Sequence, residues 1–430
     1  MLIGGSGLRG QGTWERIPMP TVQFLKSVCF SDSLYGWVAG DSGIIFRTID
    51  GGASWVRQET HATNDVEEVF FLNRRLGWAS TYNFTTLPYG TLLLKTTDGG
   101  ENWTPAPFPE PNLFITCILY LDSLNGWMGG EPHALLKTTD GGATWNATPV
   151  DTSTLAFFPV LCIKFYNERY GYAGGGRFDI AGVTWRTWNG GAMWYAINPL
   201  SAPADEVHGL HLFDSLHVMG AGGDPDLGYG VGMIRTADGG LTWNYEELDI
   251  PGNAYDLDFR NAREAWAPLG PRQKMIYSLD SGATWAVIQA PDSLRIYDVT
   301  FPDSLHGWAV GKDGAVLKYH PPVIPGTGDE KYCRETLVLH RATPNPATGH
   351  VTFSFSVAAP GTPVRVRLSI NSLVGTRLAV VTEGVFAPGR HEAEFDVSLL
   401  PSGVYLCRME TPDGGAFRMA TAPLRLVVIR

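Results

Sequence analysis

The 430-residue sequence has few charged residues, few cysteines and none of the common catalytic motifs. Only 17% of its residues are charged, and the net charge of −11 argues against nucleic acid or an anionic membrane surface as a partner. Five cysteines, an odd number, do not form a disulfide framework. No apolar run approaches the roughly 18 residues of a transmembrane segment. The patterns HExxH, CxxC, GxSxG and GxxxxGK are absent, so no catalytic residue and no cofactor is predicted.

Glycine (51) and tryptophan (14) are abundant, and both recur in an eight-residue segment that occurs six times. Thr138 to Trp145 (TTDGGATW) is one copy. The acidic or amide residue of the six copies is Asp50, Asp98, Asp140, Asn189, Asp238 and Asp280, and the tryptophan is Trp55, Trp103, Trp145, Trp194, Trp243 and Trp285. The copies follow one another at 42 to 49 residues. A period in this range indicates an array of one supersecondary unit.

Each copy has the composition of a tight hairpin. Asp or Asn followed by glycine tolerates the left-handed backbone of such a turn, and the side-chain oxygen can accept N–H groups of the same turn. The tryptophan falls on the outgoing strand, where we expect its ring to cover the seam to the next unit. The segment therefore predicts a structural turn.

The pattern (S/T)-x-D-x-G-x-x-W resembles the Asp-box (BNR) repeat of sialidases, sortilin-type receptors and photosystem-assembly-factor-like propellers. The resemblance implies a β-propeller in which the boxes lie far from the ligand face.

Each unit holds four short β-rich runs, and the second begins with a Gly-Trp signature such as Gly36-Trp37, degenerate at His217-Val218. There are seven first strands but six boxes. The last unit, Val299 to His320, has three strands before Pro321-Pro322, so the fourth is predicted to be Thr13 to Ile17. The sequence thus predicts an all-β fold: a seven-bladed β-propeller over residues 1–320, closed by strands from both ends of the chain.

A Pro- and Gly-rich linker is predicted at residues 321–334, followed over residues 335–430 by the alternating strands of a small Ig-like β-sandwich. Pro344-Asn345-Pro346 and Leu400-Pro-Ser-Gly403-Val-Tyr405 resemble the type A sorting domain of the type IX secretion system. The resemblance implies that the secretion machinery is a partner through residues 335–430. Cys333 and Cys407 could pair, although their spacing does not demand it.

A sorting domain implies a secreted protein or one on the outer-membrane cell surface. Met1 to Gly12 has neither the basic nor the apolar region of a signal peptide, so we expect the true start to lie upstream.

Two functions are compatible with these patterns. Arg16-Ile17-Pro18 resembles the early Arg-Ile-Pro of sialidases, which implies a glycoside hydrolase acting on extracellular glycans. Seven blades instead of six, and no further arginine at a recognisable position, favour a non-enzymatic protein. His208 and His211, and Asp224 and Asp226, are better explained as ordinary strand and turn residues than as metal ligands.

The preferred function is a binding or scaffold module for protein or glycan. Loops between the second and third strands lie on the face opposite the boxes, and several are long, which often marks a working surface. The candidate ligand-binding residues on this face are Tyr82, Phe84, Tyr89, Arg177, Phe178, Tyr229 and Arg272. Loop drift without function is the alternative explanation.

Overall fold

The computed structural model describes residues 11–84, 87, 89–132, 134–151, 157–177, 180–197, 206–223, 230–322, 337–357, 364–372, 377–387, 389–413, 416–419 and 424–428. The chain divides into two compact units, Met1–Ile324 and Pro325–Arg430. Within the described residues, no helix has the length and apolar character needed to cross a membrane.

The first unit consists of seven four-stranded antiparallel sheets, the blades. Its first strand is β1 (Thr13–Ile17). Blades one to three contain β2 (Leu25–Phe30), β3 (Gly36–Gly40), β4 (Ile45–Thr48) and β5 (Val56–Arg57); β6 (Val66–Phe71), β7 (Gly77–Asn83), β8 (Gly90–Thr96) and β9 (Thr104–Pro107); β10 (Phe114–Tyr120), β11 (Gly126–Glu131), β12 (Ala134–Thr138) and β13 (Asn146–Ala147). Blades four to seven contain β14 (Val160–Phe165), β15 (Gly171–Arg177), β16 (Ala181–Thr187) and β17 (Tyr195–Ile197); β18 (Val207–Leu212), β19 (Val218–Gly223), β20 (Gly230–Thr236) and β21 (Asn244–Pro251); β22 (Asp258–Phe259), β23 (Ala265–Pro268), β24 (Lys274–Ser278) and β25 (Ala286–Gln289); β26 (Ile296–Thr300), β27 (Trp308–Gly311), β28 (Ala315–His320) and β1.

The first strands of the blades contact one another in turn, and β2 of blade one contacts β26 of blade seven. The sheets therefore form a closed ring around a central channel lined by these inner strands. This is the predicted seven-bladed propeller.

Strand β1 closes the ring by pairing antiparallel with β28, with Trp14 opposite Tyr319, as predicted. The buried Trp14 ring lies 5.2 Å from the Tyr319 ring, 5.5 Å from Trp266 and 5.7 Å from Phe301, measured between centroids. The two ends of the propeller sequence thus share one aromatic core.

Each box is a self-contained hydrogen-bonded turn, shown here by the third copy. The buried Thr138 hydroxyl donates to Asp140 Oδ1 (2.8 Å) and accepts the N–H groups of Asp140 (3.3 Å) and Gly142 (3.0 Å). Asp140 Oδ1 also accepts the N–H of Thr144 at 2.9 Å. Gly141 and Gly142 have φ values of 73° and 88°, in the left-handed region that glycine adopts without strain. Hydrogen bonds from Thr144 and Thr138 lower the pKa of Asp140 to about 2.

We expect Thr138→Val to lower the free energy of unfolding by about 1–3 kcal/mol, because the N–H groups of Asp140 and Gly142 in this partly buried turn lose their acceptor. The neighbouring Thr139 is exposed, so Thr139→Val serves as the matched control. Chemical denaturation of both variants measures the difference. Equal stabilities would show that the hydroxyl does not hold the turn.

Neighbouring blades are joined by stacked aromatic rings. The second-strand tryptophan of one blade stacks on the first-strand aromatic residue of the next, as in Trp37 on Phe71 (3.4 Å) and Trp308 on Phe30 (3.5 Å). The box tryptophan instead meets that residue edge-on within its own blade, as Trp103 does at Phe71 (5.7 Å). The box tryptophan therefore covers the seam to the preceding blade, where Trp103 shares a cluster with Trp37, and the predicted seam to the next blade is filled by the second-strand tryptophan instead.

The second unit contains β29 (Leu337–Thr343), β30 (His350–Val357), β31 (Val364–Asn371), β32 (Arg377–Phe386), β33 (Gly389–Asp396), β34 (Gly403–Asp413), β35 (Ala416–Met419) and β36 (Leu424–Val428). One sheet has the order β29-β30-β33, and the other has β32-β31-β34-β35 with β36 also paired to β34. Residues of both sheets, among them Phe353 and Leu368, form one hydrophobic core. Cys407 is a buried free thiol, and Cys333 lies outside the described residues.

Strand β36 brings the two halves of the predicted sorting motif together. The Asn345 Oδ1 atom, from the Pro344-Asn345-Pro346 segment, accepts the N–H of Val427 at 2.9 Å. Gly403 and Tyr405 on β34 pair with Val428 and Leu426 of β36. Segments far apart in sequence thus meet on one strand.

Candidate binding face at the channel mouth

The inner strands begin on the rim opposite the boxes, beside the loops between second and third strands. Asp41 donates its N–H to the Phe24 carbonyl (2.9 Å), and Lys312 does the same to the Arg295 carbonyl (2.9 Å). In six blades the pairing of the inner strand shifts by one residue at this end, which is a β-bulge. The residues at the bulges are Lys26, Glu67, Thr116, Leu161, His208 and Tyr297. They form a ring that we call the channel mouth.

Aromatic side chains line the mouth over blades five, six, seven and one. Ring centroids lie 5.6 Å apart for His208 and Tyr255, 4.8 Å for Tyr255 and Tyr297, and 4.8 Å for Tyr297 and Phe24. The Lys312 ammonium lies 5.4 Å from the Phe24 centroid and 5.9 Å from that of Tyr297. We call these four rings the aromatic arc.

A second aromatic group, the blade-two cluster, consists of Tyr82, Phe84 and Phe114. Phe84 stacks on Phe114 at 4.9 Å, and Tyr82 lies 5.7 Å from Phe84 and 5.3 Å from Phe114. Phe84 remains 61% exposed. An exposed ring supported by two others is a rigid apolar contact surface.

Charges of both signs surround these rings. The Lys26 ammonium lies 2.5 Å from Glu67, 3.1 Å from Asp65 and 3.6 Å from Asp41. Burial and the nearby Glu206 raise the pKa of Glu131, while Arg177 opposes the rise. Burial, followed by the Glu67 charge, raises the pKa of Tyr82 well above its ordinary value. The face can therefore meet apolar, cationic and anionic groups.

The structure brings some of the predicted ligand-binding residues together. Tyr82 and Phe84 are in contact. Tyr89 is 40% exposed on the same loop, where its carbonyl accepts the N–H of Asn112 (2.8 Å). Arg177, the last residue of β15, and Arg272, in the 3-10 turn between β23 and β24, are exposed on the same face. Phe178 and Tyr229 lie outside the described residues.

Sequence reasoning missed Phe24, Phe114, Tyr255 and Tyr297, which lie at or just before the start of an inner strand rather than in the long loops. Aligning the seven inner strands on their repeat would have placed these residues on one rim. Their aromatic character was visible in the sequence.

Below the mouth, three aspartates join neighbouring inner strands across the seams. Asp298 Oδ2 accepts the N–H of Val28 (2.7 Å), Asp256 Oδ2 that of Val299 (3.2 Å), and Asp258 Oδ2 that of Phe301 (2.8 Å). Each bond satisfies an edge N–H of the next blade that no strand pairs with. The carboxylates therefore stabilise the ring from the inside.

The channel carries an excess of acid. Burial raises the pKa of Asp258 to about 6 and that of Glu68 to about 8. Burial, together with the nearby Asp256, raises the pKa of Asp298 well above its usual range. The pKa of Lys164 is raised: burial by itself would lower it, but the negative charges of Asp256 and Asp258 have the larger combined effect. The Lys164 side chain is solvent-accessible, yet the channel wall encloses it, which explains both effects.

Within the part of the chain that the structure describes, no three His, Cys, Asp or Glu side chains are placed to hold a metal ion. His208 lies 3.2 Å from Glu206, and the His211 ring stacks on Phe259 at 4.0 Å. Asp224 and Asp226 lie outside the described residues. Arg16 lies on β1, the outermost strand of blade seven, and its guanidinium is 3.6 Å from Asp292. It also donates to the carbonyl of Asp313, in the loop between the second and third strands of that blade, at 3.4 Å.

Comparison with known proteins finds a match in each of the two units. Residues 9–110 and 86–199 match the family described as Photosynthesis system II assembly factor YCF48, and residues 342–417 match the Secretion system C-terminal sorting domain. A curated relative, the chloroplastic Photosystem II stability/assembly factor HCF136 of Cyanidioschyzon merolae, is 39% identical over 64 residues. The aligned part is 14% of this chain and 14% of the relative.

Two solved structures have similar folds. YCF48 bound to D1 peptide has a TM-score of 0.56 at 22% identity, covering 71% of this chain and 96% of its own. PorZ of Porphyromonas gingivalis, a surface component of the type IX secretion system, has a TM-score of 0.53 at 11% identity. That match covers 96% of this chain and 61% of PorZ. The chain therefore joins a seven-bladed β-propeller, similar over residues 9–199 to the YCF48-like family, to a secretion-system C-terminal sorting domain, which marks it for secretion or attachment to the cell surface.

Proposed function

We propose that the propeller is an extracellular binding module that holds an extended polypeptide segment across the channel mouth. The observation that carries this proposal is the pair of aromatic surfaces on the mouth rim, the aromatic arc and the blade-two cluster. Rigid aromatic side chains surrounded by charges are the anchors that protein interfaces use most. The peptide bound to the similar YCF48 propeller supports this choice of ligand.

The proposed role is binding rather than catalysis. A sialidase site needs several arginines and a Tyr–Glu pair converging on one face, and Arg16 lies on an outermost strand beside Asp292. Assays of the full chain against sialoside substrates test the glycoside hydrolase alternative. Turnover that is lost on changing a carboxylate of the mouth, such as Glu131, would contradict the binding proposal.

Phe84→Ala is expected to weaken capture of the ligand at least tenfold, because it removes an exposed ring at the centre of the blade-two cluster. The ligand is first selected by screening the full chain against peptide and glycan arrays. Leu124→Ala is the matched control, since Leu124 is 54% exposed in a turn on the box-bearing rim. If both variants lose the same amount of affinity, or if Phe84→Ala leaves the affinity for the ligand unchanged, the mouth is not the binding face. Selection of glycans alone would contradict a polypeptide ligand.

A further inference from the structure

At the seam between blades five and six, the second-strand position that holds tryptophan in five other blades is occupied by Met219. Met219 pairs with His211 and Arg235 in the register in which Trp37 pairs with Cys29 and Arg47. The second-strand signature of blade five is therefore Val218-Met219, one residue beyond the His217-Val218 predicted from sequence. The Asp-Ser-Leu turn at Asp214 has the same spacing to Met219 as the turn at Asp32 has to Trp37.

A cavity of about 420 Å³ opens at this seam on the box-bearing rim. Its wall is mostly apolar and includes Phe213, Met219 and Ala283, with His217, Arg235 and Asn244 as polar members. Small-molecule sites in proteins have volumes of about 300–1,000 Å³ and the same kind of lining. A space of about 330 Å³ at the seam between blades two and three has Trp78 in its wall, so an aromatic ring is already present there.

The basic residue that accompanies the missing ring is still present. At three other seams the third-strand ammonium of Lys95, Lys137 or Lys318 lies 5.7, 5.3 or 5.9 Å from the second-strand indole. Each of these lysines also donates to a glycine carbonyl of the next box, at 2.6, 2.7 and 2.8 Å. Arg235 also donates to a carbonyl of the next box, but to Gly282, one residue further along than at those three seams, and it faces Met219 instead of an indole.

Arg235 also has an unused donor. Its Nη2 atom donates to the Gly282 carbonyl and lies 3.4 Å from Glu246 Oε2, while the buried Nε atom has no hydrogen-bond acceptor. A guanidinium over an open apolar space attracts the face of an aromatic ring, and its free N–H suits an oxygen carried on that ring. Phe213, which packs edge-on against Phe259 at 5.0 Å, supplies an aromatic wall.

We propose that this cavity binds a planar aromatic group of about indole size that carries an anionic or carbonyl oxygen. The ring takes the place that tryptophan has at five other seams and Tyr172 at the sixth, and the oxygen accepts the Arg235 Nε proton. This site is separate from the channel mouth, so it does not depend on the function proposed above.

The test uses the full chain and two probes, indole and indole-3-carboxylate, with titration calorimetry. Wild-type protein is expected to bind both, and the carboxylate more tightly. Met219→Trp is expected to weaken binding of both at least tenfold, because its own ring fills the cavity, while the protein stays folded. Met219→Leu conserves volume and should bind as wild type does.

Arg235→Lys separates the two parts of the proposal. Lysine keeps the charge and the bond to the box carbonyl, as at three other seams, but has no Nε donor at that position. The preference for indole-3-carboxylate over indole should disappear while indole itself still binds. No binding to wild type, or unchanged binding to Met219→Trp, would overturn the proposal. If acetyl-Gly-Trp-Gly-amide binds as tightly as indole, the source of the ring is a tryptophan of a partner protein. If the peptide binds more weakly than indole, the source is a free small molecule.

Discussion

Replacing Trp14 by alanine is expected to lower the melting temperature by roughly 10 °C, because truncating a buried aromatic residue costs about 3–5 kcal/mol. The Trp14 ring contacts Trp266, Phe301 and Tyr319, which belong to blades six and seven. Its loss therefore weakens the sheet built from both ends of the propeller sequence. Thermal unfolding followed by circular dichroism measures the effect.

The matched control is Glu15→Ala on the same strand. The exposed Glu15 carboxylate lies 2.7 Å from His320 Nε2, and a surface ion pair contributes about 0–1 kcal/mol. Glu15→Ala should therefore melt within a few degrees of wild type. If Trp14→Ala melts like the control, closure does not depend on the β1–β28 seam.

Stability is expected to fall as the pH rises from about 5 to 8, a trend set by the channel carboxyls. In an unfolded chain, Asp and Glu ionise near pH 4. The folded pKa is about 6 for Asp258 and about 8 for Glu68, and that of Asp298 is well above its usual range. Groups with a raised folded pKa stabilise fully below pH 4, and this contribution is lost as the pH rises through the folded values.

His211 acts in the opposite direction over part of this range. Burial and the Lys164 charge lower its pKa to about 4, so its contribution is lost as the pH falls from about 6.5 towards 4. One histidine opposes three carboxyls below pH 6.5, and above that pH the carboxyls act alone. The melting temperature at pH 8 should therefore lie at least roughly 5 °C below that at pH 5.

Glu68→Gln tests the origin of this trend. The amide keeps an acceptor for the Ser27 hydroxyl, which lies 3.2 Å from Glu68 Oε2, but it cannot ionise. The difference in melting temperature between pH 5 and pH 8 should shrink. Glu101→Gln, an exposed partner of Arg47, should leave the difference unchanged. An equal shift in both variants would assign the trend to groups outside the channel.

Much of the fold could be predicted from the sequence because its signals are local and repeated. The Thr-x-Asp-Gly-Gly turn supplies hydrogen-bond acceptors for its own N–H groups, so each box indicates a hairpin wherever it occurs. Closure of the ring could also be predicted by counting strands. Blade seven lacked a fourth strand, and Gly12 to Trp14 resembles the end of a box without the hairpin before it. The Asn345 and Tyr405 segments were correctly assigned to one β domain.

The binding face was less accessible to sequence reasoning. Long loops drew attention to Tyr82 and Phe84, but Phe114, Tyr255 and Tyr297 are contributed by the ends of inner strands. A bulge at the start of these strands shifts the alternation of side chains by one residue. The strict two-residue period used for His208 and His211 therefore did not apply. Met219 escaped notice because a methionine in the tryptophan position changes packing without changing the turn that precedes it.

The pairing of β1 with β28 also constrains when the propeller can finish folding as the chain emerges. Glu15 and His320, in contact across this pair, are separated by 305 residues. During synthesis or threading from the N-terminus, the first strand must wait, unpaired, until nearly the whole propeller sequence has emerged. Contacts this distant in sequence form slowly. The ring can therefore close only shortly before the sorting domain itself appears, although the other six blades, each built from consecutive strands, can form earlier.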